Sequence, residues 1–365
     1  MSQQIVIVYF NVIHRYIGLV AICVNPTLPV RAMAKLAPNR ELGGVMRYRR
    51  LGQTDLSISV AGFGASPLGG VFGPYNEQEG MRAVHLAVEE GVNFFDVSPY
   101  YGLTLAEERL GQALTGYRDK VILATKCGRY GRDDFDFSAR RVRLSVEESL
   151  RRLRTDYLDL LLAHDVEFGD INEIVAETIP AMRRLQEEGK TRSVGISGYP
   201  LSALMAIARQ IPVDCILSYC HYSLLIHDLD TVLTPFAESL GIGLINAAPL
   251  HMGMLTEAGA PDWHPAPEQV RNAVREALVF CRNRDVDLSE IGLRFCFEYP
   301  HVASTLVGLS TCDQVRKSLV AFHSTNDPGL VSEVQAILAP AANVVWPSGR
   351  PENHDPPEQE TDRRR

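Results

Sequence analysis

Short apolar runs alternate with amphipathic stretches along most of this chain. Between residues 60 and 322 the apolar runs fall near 60–65, 93–97, 121–125, 158–163, 193–197, 214–219, 243–248 and 303–308. They are continuous rather than alternating, which is typical of strands buried on both faces of a parallel sheet. The segments between them carry apolar residues at helical spacing. The pattern therefore predicts eight units of one strand followed by one helix.

Polar residues mark where several of the predicted helices begin and end. Ser138 precedes one amphipathic stretch, and Asp170 with Glu173 precedes another in the spacing of a capping box. Asn76 begins a third helix, which Gly91 is placed to end as a left-handed cap.

Eight such units in about 260 residues match the size of a (β/α)8 TIM barrel. An open, doubly wound sheet is the alternative, because strand number alone does not establish closure. Residues 47–59 predict a hairpin that would plug the N-terminal mouth of the barrel and leave the opposite rim for chemistry. Residues 329–338 predict an extra C-terminal helix on the outside.

The two ends of the chain differ from its centre, so the sequence predicts four regions. An N-terminal extension over 1–45 precedes a barrel over 46–323, a C-terminal helical segment over 324–346 and a disordered tail over 347–365. The extension contains an apolar stretch over 5–24 with Arg15 near its middle. An Arg there would cost a membrane-spanning helix about 2.5–3.5 kcal/mol. We expect an extension that takes no part in the fold, with a signal anchor as the alternative.

Composition narrows the possible settings and partners. The net charge of −8 with 22% charged residues argues against a nucleic-acid-binding protein. The seven cysteines show no paired spacing, which argues against a disulfide framework and a structural zinc site. We therefore expect a cytoplasmic protein with a small-molecule substrate and no membrane partner. Either a monomer or a homodimer is compatible with the sequence.

Polar residues capable of proton transfer stand where successive predicted strands end. Asp96 and Tyr101 close one strand, Lys126 ends the next and His164 ends the one after. The carboxyl ends of barrel strands meet at one rim, so these side chains are expected to share a site. A buried salt bridge and a core histidine are the alternative interpretation. Residues 62–67 look like a dinucleotide fingerprint, but Pro67 replaces the third glycine, which argues against a Rossmann fold.

On these residues the sequence resembles the aldo-keto reductases over roughly 46–323. The five-residue step from Asp96 to Tyr101, followed by Lys126 and His164, matches the catalytic tetrad of that family. Segments 93–102, 124–130, 135–138, 164–169, 216–222 and 263–265 resemble the branch of the family that oxidises L-galactose. The resemblance implies oxidation of an aldose at C1 to the aldonolactone with NAD, on a route to ascorbate or a related acid. L-galactose giving L-galactono-1,4-lactone is the leading reaction.

The resemblance also implies a role for each member of the tetrad. Tyr101 would be the base, and Lys126 would lower its pKa toward the working range. Asp96 would hold Lys126 charged and in place. His164 would donate a hydrogen bond to the reacting oxygen. The substrate pocket would include Tyr100, Tyr130, Tyr219 and His221, and no metal is implied.

Cofactor contacts implied by the resemblance lie on three later segments of the chain. They are Ser197, Gly198, Ala248, Pro249, Leu250, Met252, Gly253, Gly308, Ser310, Thr311 and Gln314. Family members usually carry Asn where Gly198 stands, and often an aromatic residue where Ala247 stands, so Tyr219 or Tyr222 is expected to stack on the nicotinamide. Basic residues that would hold a 2′-phosphate are missing beside Asp313, which favours NAD over NADP, although Arg316 is near.

Other functions remain open at this level. A D-threo-aldose or D-arabinose 1-dehydrogenase, or a pyridoxal-type oxidoreductase, would carry nearly the same residues. A cofactor-binding regulatory subunit with little turnover is a different class, and the intact tetrad argues against it. A metal-dependent barrel aldolase or isomerase would need carboxylate and histidine ligands on several strand ends, and the sequence does not place them there.

Overall fold

A closed barrel forms the centre of the molecule. The computed structural model describes residues 44–73 and 75–355. Within them, β3 to β10 are Ala61–Gly64, Phe94–Asp96, Ile122–Cys127, Leu158–Ala163, Thr191–Gly198, Cys215–Tyr219, Gly243–Ala247 and Ser304–Gly308. These eight parallel strands close in the order β10-β3-β4-β5-β6-β7-β8-β9. The TIM barrel prediction is confirmed, and the open sheet is excluded.

Helices surround the barrel and occupy the predicted intervals. They are α1 Glu77–Glu89, α2 Leu105–Ala113, α3 Ala139–Leu153, α4 Ile171–Glu173, α5 Ile179–Glu187, α6 Leu201–Gln210, α7 Thr234–Leu240, α8 Glu268–Asn283, α9 Leu288–Glu298, α10 Cys312–His323 and α11 Pro328–Leu338. Asn76, Ser138 and Asp170 each cap a helix by accepting a hydrogen bond from a backbone N–H. Gly91 follows α1 with a φ of 88°, as a left-handed stop requires.

A hairpin closes the N-terminal mouth of the barrel, as predicted. Its strands are β1 Tyr48–Arg50 and β2 Ser57–Ser59. Leu51, Leu56 and Ile58 are buried with the residues that fill the barrel. A Cβ added at Gly243, the first residue of β9, would lie 2.6 Å from Leu51 Cδ1. The hairpin therefore sits against the starts of the strands, and the opposite rim remains for chemistry.

Strand register decides which side chains point into the barrel. Phe94, Ala124, Leu160, Leu217 and Ile245 fill its interior. Side chains alternate between the two faces of a strand, so every second residue from these points inward. At the carboxyl ends of the strands the inward positions are Gly64, Asp96, Lys126, His164, Ser197, Tyr219, Ala247 and Gly308.

The segment expected to be a disordered tail from residue 347 is ordered as far as Asp355. Trp346 stacks on Tyr199 with ring centroids 4.5 Å apart. The buried Asn353 amide donates to the carbonyls of Glu167 and Gly169. Composition suggested disorder, but these contacts tie the segment and the adjacent Trp346 to the loops that follow β6 and β7. Residues 356–365 and residues 1–43 of the predicted extension over 1–45 lie outside the described residues.

The outer helices form a second apolar cluster beside the barrel. Buried residues of α8, α9 and α11 pack with the loop residues Leu224, Leu225 and Ile226. The predicted C-terminal helix is therefore part of the packed fold. In the part of the chain that the structure describes, no helix is long and apolar enough to cross a membrane.

Candidate active site

The predicted proton-transfer residues come together at the C-terminal rim of the barrel. Asp96, Lys126 and His164 face inward at the ends of the neighbouring strands β4, β5 and β6. Tyr101 enters the same space from the turn that follows β4, where its backbone N–H donates to Ser98 O. Four residues separated in sequence thus share one site, and the arrangement is more than an isolated salt bridge.

An ion pair lies at the base of the site. Lys126 Nζ is 2.5 Å from Asp96 Oδ1 and also donates to Val97 O at 2.9 Å. Both side chains are almost inaccessible, at 1% and 6% exposure. Burial lowers the pKa of the Lys126 ammonium, but the Asp96 carboxylate and the Tyr101 hydroxyl outweigh it, so this pKa is raised. Lys126 is therefore a cation held under the phenol ring.

Tyr101 lies within reach of that cation. Lys126 Nζ is 4.9 Å from the centroid of the Tyr101 ring. Burial raises the pKa of Tyr101 to about 12, and the opposing effect of Lys126 is too small to reverse this. Lys126 acts on the Tyr101 pKa in the expected direction, but desolvation of the phenolate is the larger effect, so this pKa lies above its ordinary value. Tyr101 is a neutral phenol here.

His164 stands edge-on to the same ring. Its centroid is 5.7 Å from that of Tyr101, and the two planes meet at 89°. Nδ1 of His164 is 3.0 Å from Ser98 Oγ. Burial lowers the pKa of His164 to about 3 against the opposing effect of the Asp165 carboxylate. The imidazole is therefore neutral, and it can act as a hydrogen-bond donor without carrying a charge.

A second polar group, which the sequence did not indicate, lies beside His164. Arg129 Nη1 is 2.5 Å from Asp165 Oδ2, and the guanidinium covers the Tyr100 ring at 3.9 Å. Asp165 has a φ of 50°, a strained backbone conformation for a residue other than glycine. Tyr100 therefore forms a wall of the site, as expected, and Arg129 with Asp165 adds paired charges at its edge.

The opposite side of the rim has almost no side chains. The inward positions on the neighbouring strands β9, β10 and β3 are Ala247, Gly308 and Gly64. A Cβ at Gly64 would come within 3.1 Å of Val307 O. This arc leads from the tetrad toward the start of α10. Backbone without side chains at Gly64 and Gly308 allows a ligand to approach closely, so the residues present fit a bound dinucleotide where the cofactor was predicted.

The predicted cofactor segments border this arc. Ser197 faces inward at the end of β7, and its Oγ donates to Ala163 O. A Cβ at Gly198 would lie 2.6 Å from Glu167 Oε2, so that carboxyl occupies the space of an Asn side chain. The loop over 248–253 follows β9, and left-handed conformations occur at Ala248, His251, Met252 and Gly253. Pro249 and Leu250 complete this tight loop.

The start of α10 differs from the prediction in its chemistry. Gln314 Oε1 accepts hydrogen bonds from the backbone N–H groups of Ser310 and Thr311, and it completes a capping box. Its oxygen is therefore used by the helix itself. Glu79 of α1, predicted with Asn76 only as part of a helix start, accepts from Cys312 N at 2.8 Å. The Arg82 guanidinium and the Cys312 N–H lower the pKa of Glu79 to about 2. A carboxylate thus stands at this helix start.

Two predicted pocket residues have partners of their own. Tyr130 is turned toward α3, where Arg141 covers its ring at 3.9 Å and its hydroxyl accepts from Gly128 N. His221 is fully buried and pairs with Asp228 at 2.7 Å. The pocket assignment of Tyr130 is therefore wrong, and that of His221 stays a prediction.

The two tyrosines predicted to stack on a nicotinamide ring lie in different parts of the molecule. Tyr222 stacks on Tyr299 and Phe295 in the outer layer, away from the rim. Tyr219 faces inward, and its hydroxyl is 3.4 Å from Glu167 Oε1. Of the predicted aromatic residues, Tyr219 and Tyr100 remain at the site. Within 44–73 and 75–355, no group of His, Cys, Asp or Glu side chains is arranged to hold a metal ion.

A family model and several known proteins are similar to this chain in sequence. The model of the aldo/keto reductase family matches residues 61–339. The chain is 46% identical to L-galactose dehydrogenase of Arabidopsis thaliana over 319 residues, which covers 84% of this chain and 99% of that protein. It is 30% identical to D-arabinose 1-dehydrogenase of Saccharomyces cerevisiae, over 73% of this chain and 87% of that protein.

A solved structure shows the same architecture. The holo form of an aldo-keto reductase from Bacillus halodurans superposes with a TM-score of 0.69 at 29% sequence identity. The match covers 82% of this chain and 98% of that one.

Proposed function

The chain belongs to the aldo/keto reductase family, and from that premise we propose that it oxidises an aldose at C1 to the aldonolactone with NAD. L-galactose, giving L-galactono-1,4-lactone, is the leading substrate. The observation that carries the proposal is the assembly of Asp96, Lys126, Tyr101 and His164 at one rim. The 46% identity to a relative named for L-galactose supports the choice of sugar.

In the proposed reaction this chain supplies the proton chemistry. Tyr101 first gives its own proton to solvent. A hydride then leaves C1 of the sugar while the proton of its hydroxyl passes to the Tyr101 oxygen. Lys126, kept charged by Asp96 at 2.5 Å, stabilises the phenolate. Neutral His164 donates a hydrogen bond to the reacting oxygen and orients it. Bound NAD supplies the hydride acceptor, a positively charged nicotinamide ring.

The other polar groups of the rim suit a hydroxyl-rich substrate. Arg129 offers N–H donors and Asp165 offers carboxylate acceptors, and the two lie beside His164. Sugar hydroxyls both donate and accept hydrogen bonds, so a paired cation and anion can bind them without leaving a buried charge unpaired. This supports an aldose over an apolar carbonyl compound.

The proposal is tested by following NADH formation with purified protein and a panel of L-galactose, L-fucose, D-arabinose and pyridoxal. L-galactose is expected to give the highest kcat/KM and a lactone product. A higher kcat/KM with another sugar would support the proposed reaction but assign it a different substrate. Oxidation of pyridoxal alone would overturn the assignment to sugars.

The preference for NAD is proposed from charge at the start of α10. NADP carries an additional phosphate on the adenosine ribose. Glu79 and Asp313 present carboxylates there, and the nearby cations Arg82 and Lys317 are already paired with them. A missing charged hydrogen bond is worth roughly 1.5–3 kcal/mol, which makes NAD the better cofactor by about tenfold or more in kcat/KM.

We expect Glu79→Gln to narrow this preference by improving the use of NADP about threefold to tenfold, because one repelling charge is removed. The amide oxygen can still accept from Cys312 N, so the helix start is kept. Glu77→Gln is the matched control, since Glu77 is an exposed carboxylate in the same turn of α1. Steady-state kinetics with both cofactors give the result. Equal use of NAD and NADP by the unmodified protein would contradict the proposal.

A further inference from the structure

The hydroxyl of Ser98 contacts the catalytic histidine inside the barrel rim. Ser98 Oγ is 3.0 Å from His164 Nδ1, and both residues are buried, at 0% and 4% exposure. Ser98 Oγ also accepts a hydrogen bond from the backbone N–H of Tyr100 at 3.1 Å. The Ser98 hydroxyl has a single proton to donate. Ser98 Oγ is the acceptor in the Tyr100 contact, so of these two contacts the one with His164 Nδ1 is where the proton can be donated.

The hydrogen bonds at Ser98 distinguish the two neutral forms of His164. If Nδ1 carried the proton, Ser98 Oγ would accept from both Nδ1 and Tyr100 N. The Ser98 proton would then have no acceptor among the hydrogen bonds of the described residues, and a buried unpaired donor is costly. If Nδ1 is unprotonated, it accepts the Ser98 proton, and the Ser98 hydroxyl, the Tyr100 N–H and Nδ1 are all paired. The proton of His164 then resides on Nε2.

The other side of the ring gives the same answer independently. Nε2 of His164 is 3.6 Å from Asp165 Oδ2. This distance is too long for a hydrogen bond, but the carboxylate charge favours an N–H over a lone pair in that direction. Because the contact is long, an Nε2 proton remains available to another acceptor. The donor that the proposed reaction needs is thus present before any substrate arrives.

We propose that Ser98 is a positioning residue that holds the proton of His164 on Nε2, aimed at the reacting oxygen. The assignment of that oxygen rests on the proposed function, whereas the position of the proton does not. Ser98 acts through His164 and is not placed in contact with substrate or cofactor. A neutral imidazole with its proton on Nδ1 would present a lone pair to the sugar oxygen and could not stabilise charge there.

The test uses the full-length protein labelled with ¹⁵N-histidine and a long-range ¹H–¹⁵N NMR correlation, which distinguishes the two tautomers. The His164→Asn variant identifies the His164 signals among those of the ten histidines. We expect the Nε2–H form in the unmodified protein and a substantial Nδ1–H fraction in Ser98→Ala. kcat should fall about tenfold, the effect of one hydrogen bond, with KM for NAD unchanged.

Ser218→Ala is the matched control, because Ser218 is a buried strand serine whose Oγ has no hydrogen-bond partner within 44–73 and 75–355. It should change neither the tautomer nor kcat. An Nδ1–H form in the unmodified protein would overturn the proposal. A fall in kcat of Ser98→Ala with the tautomer unchanged would also overturn it, since the loss would then come from the Tyr100 turn. The NMR result needs no substrate, so it stands apart from failure of the proposed aldose chemistry.

Discussion

Tyr101→Phe is expected to lower kcat for aldose oxidation by about 10²–10⁴-fold, the range for loss of a general acid or base. The substitution keeps the ring that packs beside His164 and over Lys126, and removes only the oxygen that exchanges the proton. Steady-state kinetics measure the loss. Titration of intrinsic fluorescence with NAD should give a dissociation constant close to that of the unmodified protein.

Tyr100→Phe separates the two adjacent tyrosines. Arg129 covers the Tyr100 ring rather than its hydroxyl, so the packing is retained in this variant. Its loss of kcat should be at least about tenfold smaller than that of Tyr101→Phe. Near-normal turnover by Tyr101→Phe, with a large loss in Tyr100→Phe, would assign the base to Tyr100.

Asp96→Asn is expected to abolish most turnover and also to destabilise the fold by roughly 3–5 kcal/mol, the cost of leaving a buried charge without its partner. Lys126 is almost wholly inaccessible, and its carboxylate contact is Asp96 at 2.5 Å. Urea unfolding followed by circular dichroism gives the change in the free energy of unfolding. Unfolding at the same urea midpoint as the unmodified protein would contradict the ion pair.

The double variant Asp96→Asn with Lys126→Met separates stability from chemistry. It removes both charges, and replacing a buried pair by apolar groups is often neutral for stability. Most of the lost stability should therefore return. Turnover should not return, because Lys126 is the cation that contacts Tyr101 among the residues the structure describes. Recovery of both would show that the pair serves the fold alone.

The barrel and its tetrad could be predicted because both follow from regular strands. Strands buried on both faces are continuous apolar runs, and their ends meet at one rim. Asp96, Lys126 and His164 are strand-end residues with inward register, so their meeting required no knowledge of loops. The hairpin that closes the barrel was predicted in a similar way, from two short strands with a turn between them.

Residues on loops could not be placed in this way. Tyr130 follows Gly128, which has a φ of 99°, so the alternation of β5 no longer applies and the ring turns outward. Glu79 meets Cys312 across 233 residues, between helices whose packing the sequence does not specify. Glu79 in the first turn of α1 was visible in the sequence, but an acidic residue there is equally explained by its role at the start of a helix.

Properties that depend on burial could not be predicted from the sequence either. The effect of Lys126 on Tyr101 was anticipated, but the desolvation that raises the Tyr101 pKa to about 12 follows from its surroundings. Order in residues 347–355 depends on individual hydrogen bonds, such as those of Asn353. Composition does not contain that information.

The central claim, oxidation at C1 through this rim, is tested most directly by isotope transfer. L-galactose deuterated at C1 is incubated with the purified protein and NAD, and the reduced cofactor is analysed by mass spectrometry. The account predicts NADH carrying one deuterium and a slower rate than with the unlabelled sugar, and little NADH of either kind from Tyr101→Phe in the same time. Unlabelled NADH formed at the normal rate would show that the hydride comes from another carbon, and would contradict the account.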